Sequence, residues 1–99
     1  MSATQTEWVI PDKIMPSVRI DTEAESAYVL LSGECAIAET RLVRDDEIVV
    51  TVDLNERGEV IGFEVVGTKE FTLDALLSYA EIPAHYFDRA RWHTRYLSA

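Results

Sequence analysis

The sequence predicts an α+β fold, an antiparallel β-meander of four to five strands followed by two short C-terminal helices. Three observations point there. Between Ser17 and Val66 apolar and polar side chains alternate with a period of two, broken at short intervals by clusters of turn-forming residues. At Thr72 the period changes to that of a helix, and Pro83 divides the helical stretch in two. The 99 residues, 47% hydrophobic and 27% charged, suit one globular domain.

Residues 1–16 are expected to form an N-terminal arm or edge strand. Pro11 and Pro16 lack the N–H a ladder needs, while Trp8, Val9 and Ile10 are apolar enough to dock on a core. Residues 17–99 form the single domain, with the meander over 17–66 and the helical tail over 72–97. Val18 and Ile20 open the first strand, which should turn at Asp21-Thr22-Glu23-Ala24-Glu25. In that turn Asp21 is placed to accept backbone N–H groups. A second strand runs from Ala27 to Ser32 and ends at Gly33-Glu34. Ile37–Val43 alternates weakly, with Ala38, Thr40 and Leu42 on one side and Glu39 and Arg41 on the other; Arg44-Asp45-Asp46 is the next turn.

Glu47–Leu54 is the clearest strand, with Ile48, Val50 and Val52 on one face. Val49 interrupts its polar face and implies some cover there. Asn55-Glu56-Arg57-Gly58 is the strongest turn, because Gly58 tolerates the positive φ that closes a short hairpin loop. Glu59–Val66 returns beside it. In the tail, Leu73, Leu76, Leu77 and Ala80 fall at helical spacing behind an N-cap Thr72 and a first-turn Asp74. Beyond Glu81-Ile82-Pro83, the stripe Phe87, Ala90, Thr94 and Leu97 predicts a second helix.

The formal charge is −9, from 18 acids and 9 bases. Such a chain repels nucleic acid and anionic membrane at long range and attracts basic partners. Residues 1–84 hold 17 acids against 6 bases, whereas the last fifteen hold only Asp88 against Arg89, Arg91 and Arg95. The tail is a basic patch on an acidic body. No apolar run approaches the roughly 20 residues that span a bilayer. The first residues lack a basic region and an apolar signal core, so a cytoplasmic location is expected. The lone Cys35 forms no internal disulfide and suits a reducing compartment.

Asp21, Glu23, Ala24, Glu25, Ala27 and Tyr28, followed by Val52, Asp53, Leu54, Gly58, Val60, Gly62, Phe63, Glu64 and Val65, resemble a bacterial and archaeal family of uncharacterised proteins, domain of unknown function 2283. The resemblance covers residues 17–67, about half the chain. Ile20 stands where the family usually has an aromatic, and Glu25 where it has Asp. The resemblance implies the sheet and no established activity. It also hints at small proteins that partner neighbouring toxins.

Few residues carry chemistry. Asp21, Glu23, Glu25, Asp53 and Glu56 have the hard oxygens calcium requires but not EF-hand spacing, so turn and hairpin stabilisation explains them better. Cys35 has no base near it in sequence. His85, Arg89 and His93 would share one helix face, yet two histidines do not complete a zinc site. No G-x-S-x-G, phosphate loop, dinucleotide glycine fingerprint or H-E-x-x-H is present. The expectation is therefore a non-enzymatic protein without a cofactor or metal, whose structural turn residues are Asp21, Glu23, Asn55 and Gly58.

The leading function is a protein-interaction module, an antitoxin-like partner of a basic protein, with a homodimer also compatible with uncovered strand edges. One alternative is a nucleic-acid-binding regulator. Leu73–Ala80, the break and Ala84–Tyr96 faintly resemble a helix-turn-helix, and Arg89, Arg91, His93 and Arg95 would contact phosphates. Another is a small-ligand site built on Trp8, Tyr28 and Phe63.

Overall fold

A computed structural model describes residues 8–11, 16–31, 36–83 and 93–96. The strands are β1 (Ser17–Asp21), β2 (Ser26–Leu30), β3 (Glu39–Asp45), β4 (Val49–Leu54), β5 (Val60–Val66) and β6 (His93–Tyr96), with one helix, α1 (Leu73–Ala80). They form a single sheet in the order β3-β4-β5-β2-β1-β6. Five strands are antiparallel to their neighbours, and β6 joins the edge parallel to β1.

This order corrects the simple meander. β2 pairs with β5 rather than with its successor β3. Burial gives the reason. β2 has two fully buried side chains, Ala27 and Val29, and lies between strands on both sides; β3 is exposed at every position but Val43 and can only be an edge. The third strand also starts and ends two residues later than its alternation suggests. Arg44 and Asp45 remain in β3, and the chain turns at 46–48, where Asp46 Oδ1 accepts the Ile48 N–H at 2.9 Å.

The β1–β2 and β4–β5 hairpin turns close as their residues dictate. Asp21 Oδ1 accepts the N–H groups of Glu23 and Ala24, both at 3.1 Å. Asn55 Oδ1 accepts those of Arg57 and Glu59, both at 2.9 Å, and Gly58 takes φ 77°. Gly67, at φ 97°, lies against the Glu47 carbonyl, where a Cβ would approach to 2.4 Å.

Helix α1 begins at Thr72, whose Oγ1 accepts the Ala75 N–H at 3.2 Å. It ends in a Schellman motif. Glu81 adopts the left-handed conformation (φ 60°), its N–H bonds Ser78 O, and the Ile82 N–H bonds Leu77 O. The core lies between this helix and one face of the sheet. Val18, Ile20, Ala27, Val29, Val50, Val52, Leu54, Phe63 and Val65 meet Leu76, Leu77, Ala80 and Ile82 there, all 5% exposed or less. Trp8 and Ile10 pack against its margin, and Val9 bridges Glu59.

The second helix expected over Pro83–Leu97 is corrected at its end. His93–Tyr96 is a strand, with Ser17 opposite His93 and Ile20 opposite Tyr96. β1 offers an open backbone edge there, and Thr94 and Tyr96 favour extended structure. Residues 84–92 lie outside the described residues, as do 32–35 with Cys35.

Candidate functional site

Alternation gives the sheet two unlike faces. Apolar side chains of β1, β2, β4 and β5 lie on the side of the sheet that carries α1, which packs nearest β3, β4 and β5. Their intervening neighbours form three cross-strand rows on the opposite face, and among the described residues no element packs over it. The first row runs Asp21–Ser26–Val66–Val49–Asp45, the second Arg19–Tyr28–Glu64–Thr51–Leu42, and the third Ser17–Leu30–Gly62–Asp53–Thr40. On β1–β5 this open face carries four carboxylates against one guanidinium.

Asp53 stands out because its side chain is buried, at 8% exposure, on a face otherwise open. Tyr28 Oη donates to Asp53 Oδ2 at 2.6 Å, and Thr40 Oγ1 donates to Oδ1 at 2.7 Å. Each carboxylate oxygen thus receives a hydroxyl, the arrangement a desolvated anion requires. Tyr28 reaches across β5 because Gly62 has no side chain. A Cβ at Gly62 would come within 2.4 Å of Tyr28 Oη. The three side chains tie β2, β4 and the edge strand β3 together.

At the sheet margin, Arg41 lies 5.8 Å from the Trp8 ring centroid and Arg44 5.5 Å from that of Tyr79. Their register partners are Val52 and Val50, so both arginines rise on the helix side. Both also pair with acids, Arg41 with Glu39 at 3.1 Å and Arg44 with Asp46 at 3.0 Å. The Asp46 carboxyl is held below the usual aspartate range, first by the Ile48 N–H and then by Arg44. The Glu59 carboxyl is held low by the Asn55 amide first and by Arg57 second.

The acids singled out in the sequence do not gather. Asp21 caps its turn, Glu25 sits 3.7 Å from Lys69, Asp53 is bound by hydroxyls, and Glu56 lies in the β4–β5 turn. Among the described residues no three histidine, cysteine or carboxylate groups converge as metal ligands. Trp8, Tyr28 and Phe63 do not form a common site. Phe63 is wholly buried under α1, Trp8 bonds the Ala80 carbonyl on that same side, and Tyr28 is on the open face.

The helix face proposed for His85, Arg89 and His93 is corrected too, because His93 is in β6. Arg95 lies opposite Arg19 in register, while His85, Arg89 and Arg91 are outside the described residues. Sequence reasoning missed the hydroxyl-bound Asp53. Tyr28, Asp53 and Gly62 all belong to the residues that carry the family resemblance, but nothing in the linear pattern joins them.

Among the described residues no helix is long and apolar enough to cross a membrane. The family model described as "Protein of unknown function (DUF2283)" matches residues 17–69. No curated protein and no solved structure matches the chain.

Proposed function

The chain belongs to the DUF2283 family of proteins of unknown function, and we propose that it is a non-enzymatic interaction module whose open sheet face binds a basic protein. The observation that carries this reading is the pairing of charge with a sheet face that no element among the described residues covers. Three carboxylates, Asp21, Asp45 and Glu64, face outward with a single arginine, interleaved with Leu30, Leu42, Val49 and Val66. Mixed apolar and acidic surface of that kind buries hydrophobic area while steering a cationic partner toward it. The whole-chain charge of −9 lengthens the reach of that attraction. The Tyr28–Asp53–Thr40 bonds stiffen the face, which lowers the entropy lost on binding.

The test starts with capture of a partner from host extract, followed by binding of the purified partner to Glu64→Lys and Glu70→Lys chains. Glu64 is exposed at the centre of the face, whereas Glu70 is exposed in the β5–α1 loop. The expected partner is basic. Glu64→Lys should weaken it about tenfold, and Glu70→Lys much less. Equal affinity for the two variants would remove the open face from the interaction.

A further inference from the structure

From the edge geometry we infer that the basic partner presents an extended segment, which pairs with the outer edge of β3 as a seventh strand and lays alternate side chains onto the open face. The inference rests on the interaction reading above and adds how the partner is held. β3 is terminal in the sheet order and seven residues long, and its outer backbone edge is unpaired among the described residues. Main-chain hydrogen bonding along such an edge supplies affinity, while alternate side chains supply selectivity. Two of the exposed large hydrophobics, Ile37 at 53% and Leu42 at 56%, sit at this margin.

Charge decides between possible occupants. Residues 39–47 contain four acids and two arginines. Both arginines rise on the helix side and are already paired with Glu39 and Asp46. On the open-face side the edge presents Thr40, Leu42 and Asp45. A strand laid beside them is best matched by lysines on that side, whose methylene stems cover Leu42 while their ammonium groups reach Asp45. A second copy of this chain fits poorly, because it brings its own charge of −9 and the same acidic edge. The irregularity between Leu42 and Arg44 further disfavours promiscuous pairing of flat, uncharged strands.

The test uses the full chain and a blocked synthetic peptide, Lys-Val-Lys-Val-Lys-Val-Lys, at low salt. Two N-methylated versions accompany it, one methylated at the lysines and one at the valines. In a paired strand only every second N–H faces its neighbour, so one methylated peptide should bind about tenfold more weakly and the other should match the parent. Asp45→Lys and Leu42→Lys, both at exposed positions, should weaken the parent peptide comparably, and β3 amides should gain protection from hydrogen exchange. If both methylated peptides bind like the parent while Glu64→Lys still weakens all three, strand addition is wrong and the open-face reading survives. If the parent peptide binds the Glu64→Lys chain as well as the native one and protects no β3 amide, both fall.

Discussion

Consecutive residues of β4 show how differently the two faces of this sheet are built. Val50, Val52 and Leu54 are 2% exposed or less and meet α1; Val49, Thr51 and Asp53 occupy the other side of the same six residues. On the covered face, size and apolarity are sufficient, because any well-filled core gains from removing area from water. On the open face, position matters more than size. Asp53 remains desolvated because two particular hydroxyls reach it, one of them across a glycine. The helix side holds the apolar core, and the opposite side holds the hydroxyl-bound Asp53 among exposed and half-buried neighbours.

The largest effect that would break this comparison comes from two adjacent residues of β5. Phe63→Ala empties a wholly buried site and should cost about 3–5 kcal/mol, much of the total stability of a small domain. Glu64→Ala, one residue along and facing out, should stay within about 0.5 kcal/mol. Urea denaturation of both variants checks this. Similar losses would mean that the open face is structurally covered in the full chain.

Next in size is the hydroxyl network. Tyr28→Phe removes the donor to Asp53 Oδ2 and leaves a buried carboxylate short of a partner, a loss of about 1–3 kcal/mol. Gly62→Ala should act on the same bond, because its methyl group occupies the place of the Tyr28 ring. Once the tyrosine is displaced, the two changes share one loss, so Tyr28→Phe combined with Gly62→Ala should be clearly less than additive. Strict additivity in thermal melts would separate Gly62 from the network.

A smaller and opposite effect is expected at the end of the helix that covers the core. Glu81 holds a left-handed conformation that disfavours a side chain, and it places an acid beside the negative end of α1. Glu81→Gly relieves both and should raise stability by about 0.5–1 kcal/mol, read as a higher melting temperature. A loss instead would show that the Glu81 side chain holds a contact that outweighs its strain.

What was legible in the sequence divides along the same lines. Period-two alternation, the Asn55–Gly58 turn and the Thr72 cap are local signals; the turn and the cap appear where they are expected, and the alternating strands appear with ends shifted by two residues at β3 and at the start of β4. Pairing between β2 and β5 is not local, since more than thirty residues separate Ala27 from Val65, and alternation says nothing about neighbours. β6 was hidden for another reason. Four residues are too few to display a period, and Thr94 also fits the helical stripe drawn through Phe87, Ala90 and Leu97. Asp53 looked like an ordinary outward acid of a strand. Its burial depends on Tyr28, 25 residues earlier, and on Thr40 at the edge.

The smallest effect sharpens the comparison at the β4–β5 turn, where acidity rather than packing is at stake. Glu59 Oε1 accepts the Asn55 amide at 2.9 Å and the Arg57 guanidinium at 3.1 Å, and both favour the ionised carboxylate. Its folded pKa is therefore depressed below the ordinary value of 4.5. The sign follows directly: stabilisation from Glu59 is fully present above the unfolded pKa and is lost as pH falls through the lower folded value. Glu59→Gln still accepts the Asn55 amide but cannot titrate, so the variant should lose less stability than the native chain as pH drops from about 5 toward 3. Added salt should screen the Arg57 part of the difference and leave most of the Asn55 part, because a direct hydrogen bond survives ionic strength that weakens an exposed ion pair. If the two chains follow the same acid limb, the turn is held by the Asn55 backbone contacts alone and the Glu59 carboxylate adds nothing to it.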